Sequence, residues 1–422
     1  MKLDKIMLTL FTISIIAVGT IGFSQSQATP QQNPERHIIV LNDDVNPWSV
    51  ANEMAQERGL LISHVYGTAV NGFSGIVPPG QLDKISSDPR VKYIEQDYVM
   101  SIYAPGGVPG KPGGGGGGGD DPVQPSQVTP TGIMRINGNA AGTTDVNVAV
   151  IDTGIDPSHP DLNVIDGVNF ASGKNWKDGN GHGTHVAGTI GALDNGIGVI
   201  GVAPGANLYA VRVLNNAGSG WTSDIIAGIN WVADPANGID VANMSLGGSG
   251  NDNEPCGGTD TYRNAICNAV NAGVTFVVAA GNSDADADNS RPATYDEVIT
   301  VSALADFDGL PGGYGSPTCR NDVDDTFANF SNWGSDIDII APGVCIESTW
   351  KGGGYNTISG TSMASPHVAG AAALYIANNS NNDPPLSPED VKSALLDAGT
   401  FNWNNDDDPD GIKEKLLYVF EL

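Results

Sequence analysis

Val148-Ala149-Val150-Ile151-Asp152-Thr153-Gly154 is a short apolar run that stops at an acid, a small residue and a glycine. A run of that length with no polar face reads as a strand buried on both sides. The strand spans 146–151, and similar runs recur at 208–214, 241–246, 274–279, 298–302 and 337–340. Helical patterns lie between and after them, over 182–190, 222–233, 261–271 and 361–378. Apolar strands alternating with helices predict an α/β domain with a doubly wound, mostly parallel sheet over residues 122–422. Such sheets place chemistry at the carboxyl ends of their strands, where Asp152 falls.

The composition narrows the partners. Of 422 residues, 19 are Lys or Arg and 48 are Asp or Glu, a net charge of -29. Residues 1–103 carry only -3 of it, and the rest carry -26. Phosphate backbones and anionic lipids repel such a segment, so nucleic-acid binding is excluded as a function class. At the start, Lys2 and Lys5 flank the beginning of an uncharged apolar run over 6–23, and Ser26-Gln27-Ala28 follows. That is the layout of a secretory signal peptide over 1–28, which predicts an extracellular protein with no stable membrane association once the signal is removed. Cys256, Cys267, Cys319 and Cys345 suit an oxidising compartment. Sequence order suggests Cys256 with Cys267 and Cys319 with Cys345, among three pairings that four cysteines allow.

Residues 35–103 read as a small α+β unit. Strands are expected at 37–41, 64–66, 72–77 and 91–94, with helices at 47–58 and 79–86. Gly59 stops the first helix. Residues 104–121 hold seven consecutive glycines, Gly113 to Gly119, and read as a flexible tether.

Three segments of the downstream domain stand out. The strand at 146–151 leads into Asp152. Asn180-Gly181-His182-Gly183-Thr184-His185 opens a helix with a histidine among glycines. Ser359-Gly360-Thr361-Ser362-Met363-Ala364-Ser365-Pro366-His367 opens another with a serine. Each alone is an ordinary cap or turn. Together they supply a nucleophile, a base and an orienting acid. The base is found by elimination. His159 sits in a Pro-Ser-His-Pro turn, His185 points elsewhere along its helix, and His367 lies roughly opposite Ser362, which leaves His182. A zinc pair of His182 and His185 lacks the glutamate and i+4 spacing of a zincin helix.

These motifs resemble the subtilisin-like serine proteases (subtilases) over about residues 127–376. The resemblance implies that Asp152 orients the imidazole, His182 is the general base and then acid, and Ser362 attacks the peptide carbonyl. Val277-Val278-Ala279-Ala280-Gly281-Asn282 resembles the family's oxyanion segment, with Asn282 as the amide donor and Ala279 and Gly281 beside the substrate. Asn243-Met244-Ser245-Leu246-Gly247-Gly248 resembles one wall of the S1 pocket. Gly218-Ser219-Gly220 resembles the strand that pairs with the substrate upstream of the cut. An extended polypeptide substrate is expected, read mostly through its backbone.

By the same resemblance, residues 35–103 are a ferredoxin-like inhibitory propeptide, on the signature Asp88-Pro89-Arg90-Val91-Lys92-Tyr93-Ile94-Glu95-Gln96-Asp97. Autocleavage is expected between Tyr103 and Ala104, with Tyr103 in S1 and Met100 in S4. That implies an apolar or aromatic preference. A basic preference, suggested by Asp284, Asp286 and Asp288, is the rival. Calcium is the implied cofactor. Gln127, Asp161 and Asn195, with the carbonyls of Leu193, Ile197 and Val199, form an oxygen-only set. Asp338, with carbonyls near Asp296 and Val298, is a second candidate. Asp406-Asp407-Asp408-Pro409-Asp410-Gly411 starts like an EF-hand loop, but its twelfth position is Leu417, so an exposed acidic turn is expected. The chain is expected to be a monomer. A catalytically silent binding protein and a transpeptidase are the other readings of the same motifs.

Overall fold

The computed structural model describes residues 35–103, 124–138, 145–251, 254–383, 385–404 and 408–420. The expected signal peptide, Ala104, the glycine tether, and Asp406 and Asp407 lie outside the described residues.

The upstream unit contains β1 (Glu35–Leu41), α1 (Pro47–Arg58), β2 (Leu61–Tyr66), β3 (Gly72–Val77), α2 (Leu82–Ser86) and β4 (Val91–Gln96). Its sheet is antiparallel in the order β2-β3-β1-β4. α1 begins at Asn46, whose side chain accepts from Ser49 N, and ends at Gly59 in a left-handed conformation (φ 74°). Ile39, Leu41, Met54, Phe73, Val77 and Ile85 form its core. The opposite face carries Ile38, Val40 and Tyr66, which pack into the downstream core.

Downstream, the chain runs through β5 (Val99–Ser101), α3 (Thr131–Arg135), β6 (Asn147–Asp152), β7 (Val164–Asn169), α4 (His182–Gly191), β8 (Asn207–Arg212), β9 (Ser219–Trp221) and α5 (Thr222–Val232). It continues with β10 (Val241–Met244), β11 (Gly248–Ser249), α6 (Thr261–Asn271), β12 (Thr275–Ala279), β13 (Ser290–Arg291), β14 (Ile299–Ala305), β15 (Thr326–Phe327) and β16 (Ile339–Pro342). A hairpin of β17 (Ile346–Trp350) and β18 (Gly354–Ile358) precedes α7 (Thr361–Asn378) and α8 (Pro388–Ala398).

The main sheet has the order β15-β14-β12-β10-β6-β8-β7, with β16 also on β14. All its pairs are parallel except β14 with β15. β6 is central and alternates its contacts. Val148 and Val150 pack with Val186 and Ile190 of α4 and Val368 of α7. Ala149 and Ile151 pack with Ile225 and Ile229 of α5 and Ile266 of α6. Helices therefore cover both faces, as the continuous apolar strands require. The expected elements are present with ends shifted by a few residues. β7 and the β17–β18 hairpin were not expected: β7 is interrupted by Asp166 and Gly167, and none of its residues is buried.

Candidate active site

Asp152 ends β6 at the centre of the sheet, and strands leave it in both directions, so it sits at the topological switch point. The carboxylate is fully buried. It accepts from Thr153 N at 2.6 Å, and both oxygens lie 2.9 Å from His182 Nδ1. With Nδ1 engaged, Nε2 is the nitrogen left for proton transfer. It makes no hydrogen bond among the described residues.

Asp178 fixes this pairing and was missed by the sequence reading. Its Oδ1 accepts from the Asn180 and Gly181 N–H groups, each at 2.8 Å, and from Thr153 Oγ1 at 2.9 Å. Its Oδ2 accepts from Thr184 N and Oγ1 at 3.0 and 2.6 Å. One carboxylate thus ties the end of β6 to the first turn of α4, where orphan N–H groups need acceptors. The signal was an acid just ahead of a helix start. Gly183 is required by close approach, since a Cβ there would lie 2.2 Å from Gly154 O.

Ser362 is the second residue of α7 and is 1% exposed. Its Oγ donates to Ser245 O at 3.2 Å, and Ser245 Oγ donates back to Ser362 O at 2.9 Å. Asn243 joins them through Ser245 Oγ (2.9 Å) and Ser365 Oγ (2.8 Å). The carboxyl end of β10 and the start of α7 are therefore locked together. Asn282 follows β12. Its Oδ1 accepts from Thr361 N and Oγ1, both at 2.9 Å, which fixes the amide so that Nδ2 points outward. Thr361 is the other residue that the sequence reading did not single out.

The other histidines are occupied. His185 is buried, with Nε2 near Ile346 O (3.0 Å) and Asn356 O (3.1 Å), and burial pushes its pKa down to about 3. His367 Nδ1 donates to Met363 O at 2.8 Å, and burial lowers it to about 4. Burial also lowers His159, whose Nε2 meets Gly354 O at 2.8 Å.

The upstream unit delivers a peptide to this place. β5 pairs antiparallel with β9, Val99 to Trp221, Met100 to Gly220 and Ser101 to Ser219. On its other side, Ser101 and Gly247 exchange N–H···O bonds at 3.1 and 3.0 Å. Ile102 N donates to Gly218 O at 2.9 Å. The segment is thus the middle strand of a three-stranded arrangement. Tyr103 follows, and Asn282 Nδ2 donates to its carbonyl at 3.0 Å. The Tyr103 ring lies against Gly247, where a Cβ would stand 1.9 Å from the phenol oxygen. Tyr103 Oη donates to Arg291 O at 3.4 Å, with Ser290 within hydrogen-bond reach, and burial raises the phenol pKa. Leu246 is wholly buried beneath this wall. Ala279 is buried inside β12 opposite Val301, and Gly281 N donates to Thr361 Oγ1 at 3.1 Å. Asp286 caps a short turn by accepting from Asp288 N, and it is backbone carbonyl and hydroxyl groups that meet the tip of Tyr103.

The expected cation residues divide. Gln127, Asp161, Leu193 and Asn195 come together. Asn195 Nδ2 lies 3.1 Å from Asp161 Oδ1, Gln127 Nε2 lies 3.3 Å from Leu193 O, and Val199 N donates to Asp161 Oδ2 at 3.0 Å. Ser126 and Val128 bridge to Ile197 and Val199. Burial pushes the Asp161 carboxyl up to about 6. A buried carboxylate ringed by carbonyl and amide groups fits an oxygen-liganded cation.

The expectation for Asp338 is corrected. Lys392 of α8 lies 2.8 Å from Asp338 Oδ1 and donates to Val298 O at 2.8 Å and Asp296 O at 3.3 Å. An ammonium group already fills the place proposed for a metal. The cysteines form two disulfides, Cys256–Cys267 and Cys319–Cys345.

Residues 143–412 match the family model described as the Subtilase family, and residues 22–103 match Peptidase inhibitor I9. The chain belongs to the subtilase family of serine peptidases. It is 38% identical to alkaline serine exoprotease A of Vibrio alginolyticus over 385 residues, covering 87% of this chain and 62% of that protein. It is 36% identical to subtilisin E of Bacillus subtilis (strain 168) over 409 residues, covering 94% and 93% respectively. A crystal structure of a cold-adapted subtilisin-like serine proteinase superposes with a TM-score of 0.54 at 40% identity, covering 66% of this chain and 91% of that one.

Proposed function

We propose that the chain is an exported endopeptidase made as a zymogen that cuts itself after Tyr103. The assigned parts are a signal peptide over 1–28, an inhibitory propeptide over 35–103, a tether over 104–121 and a catalytic domain over 122–422. One observation carries the reading: the Tyr103 carbonyl accepts from Asn282 Nδ2 at 3.0 Å at the end of a strand-paired peptide. An amide aimed at a carbonyl oxygen is what a forming oxyanion needs.

In the proposed mechanism, Ser362 Oγ attacks the carbonyl carbon and gives its proton to His182 Nε2. The paired electrons move onto the carbonyl oxygen, which Asn282 Nδ2 and the Ser362 N–H stabilise. Collapse breaks the C–N bond, and the His182 proton passes to the leaving amine. Water then enters by the same route in reverse, and Ser362 is freed. Asp152 stays ionised and holds the imidazole.

The cleft favours an aromatic residue before the cut. Gly247 leaves room for a ring, and the pocket end offers the Arg291 carbonyl and Ser290 to a phenol. Backbone pairing along Gly218, Ser219, Gly220 and Gly247 makes the rest of the recognition broad. Calcium at Gln127, Asp161, Leu193, Asn195, Ile197 and Val199 would neutralise the buried Asp161 and fasten the 193–199 loop to the 126–128 segment.

Purified full-length chain should release a propeptide ending at Tyr103, read by mass spectrometry, and cleave casein, whereas Ser362→Ala does neither. A first cut elsewhere removes the Tyr103 assignment. Equal casein cleavage by both chains would point away from Ser362, and peptide joining in place of hydrolysis would favour the transpeptidase reading.

A further inference from the structure

The upstream unit seats a guanidinium on the catalytic body at the start of α5. Arg36 of β1 lies over the Trp221 indole, 4.7 Å from the ring centroid. The same group donates to Ser223 Oγ at 2.9 Å and stands 3.8 Å from Asp224 Oδ1. Asp97 flanks it, 2.8 Å from Nε. His64 also faces this carboxylate, with Nε2 2.7 Å from Asp224 Oδ1.

These groups divide between the two parts of the chain. Trp221, Ser223 and Asp224 belong to the catalytic body. Arg36, His64 and Asp97 belong to the upstream unit. Release of that unit therefore takes from Asp224 Oδ1 both of these side chains and uncovers the face of the Trp221 ring. The carboxylate keeps its place, because Asp224 Oδ2 accepts from Trp221 N at 3.4 Å and closes the first turn of α5. What remains is an aromatic face beside a carboxylate. A guanidinium suits that pair better than an ammonium, since it is planar, stacks on rings and is weakly hydrated. One guanidinium can meet both groups at once, as Arg36 does.

A bound peptide passes this place. Val99 stands directly opposite Trp221 in the β5–β9 ladder. Counting Tyr103 as the first, Val99 is the fifth residue before the proposed cut. Opposed residues of an antiparallel pair share a face, with Cβ atoms about 5 Å apart. Val99 is 56% exposed and Trp221 36% exposed, so a longer side chain at the fifth position has room to lie on the ring. Thr222 N donates to Tyr98 O at 2.8 Å, which keeps the peptide against the start of α5 one residue further upstream.

We propose that Trp221 and Asp224 form an arginine-recognition site in the processed enzyme, which therefore favours polypeptides with arginine at the fifth residue before the cut. The proposal rests on the endopeptidase reading above and deepens it. Tyrosine at the cut is read in the Gly247 pocket, and arginine is read separately at the far end of the paired strand.

The test lets the full-length chain process itself and measures kcat/KM on peptides that share tyrosine before the cut. They differ only at the fifth residue before it: arginine, citrulline, alanine or glutamate. Arginine should exceed alanine by about fivefold, and glutamate should be the poorest. Citrulline, the uncharged isostere, should fall to the level of alanine. Trp221→Ala and Asp224→Asn should each bring the arginine-to-alanine ratio toward one, a ratio taken within each variant so that a general loss of activity does not enter it. Equal values for arginine and citrulline in the wild type overturn the proposal and leave the endopeptidase reading standing, and this comparison needs no variant to fold. A wild-type ratio preserved in both variants overturns it as well. No cleavage after tyrosine in any of the peptides removes the endopeptidase reading and the proposal with it.

Discussion

The inhibitor-like domain meets the catalytic body in two regions built from different chemistry. In the cleft, β5 and Tyr103 are held by backbone pairing and by glycines that leave room. On the platform, side-chain charge does the holding. Asp97 accepts from Ser223 N (2.9 Å) and Oγ (2.7 Å) at the start of α5, and Glu95 Oε2 accepts from Thr261 N (2.9 Å) at the start of α6. Arg36 clamps Asp97 at 2.8 Å, and Asn230 Oδ1 accepts from the N–H groups of Gly67, Thr68 and Ala69 at 3.2, 2.8 and 3.0 Å. Carboxylates on helix N-termini are favourable partners for orphan N–H groups. The difference teaches a division of labour. The cleft contacts run through backbone groups, whereas the platform contacts depend on particular side chains.

The comparison can be broken from the cleft side first. Asn282→Leu should lower kcat by about 10²–10³, the loss known for this amide in subtilisin, with little change in KM. A small loss would remove the oxyanion reading. Next, Gly247→Val fills the space beside the Tyr103 ring. It should cut kcat/KM for substrates with tyrosine before the cut by about 10²-fold (roughly 3 kcal/mol of lost packing and new overlap) and spare those with alanine. Equal loss for both would place the ring elsewhere.

On the platform, Asp97→Asn should weaken inhibition by the added propeptide about tenfold, as for one charge-assisted contact, and leave kcat of the mature enzyme unchanged. An effect on kcat would erase the division between the regions. The smallest effect is expected where the body supplies its own partner. Lys392→Met strands Asp338 and two carbonyls, at a cost of about 1 kcal/mol, and thermal unfolding should then become sensitive to added calcium or sodium. Insensitivity would show that Lys392 is not standing in for an ion.

The cleft was readable because its chemistry is local. Asp152 ends an apolar strand, His182 and Ser362 open helices among glycines, and each segment carries its own signal. The parts that were not readable depend on distant chain. Asp338 looked like a metal ligand because its partner lies in α8, 54 residues on, a helix that the apolar pattern did not reveal. Asp178 acts by accepting from backbone at the start of the next helix, and Thr361 by donating to the Asn282 side chain and accepting from Gly281 N, which sequence spacing does not display. The fold was legible through the continuous apolar strands, whereas β7, half exposed and broken by Asp166 and Gly167, escaped the same test.

The most direct test of the central claim is the mass of the released propeptide from wild-type chain beside Ser362→Ala. The account predicts a fragment ending at Tyr103 from the wild type and an intact junction in the variant, with turnover lost by about 10⁶, as known for the subtilisin serine. The same fragment appearing from Ser362→Ala at an undiminished rate would contradict it.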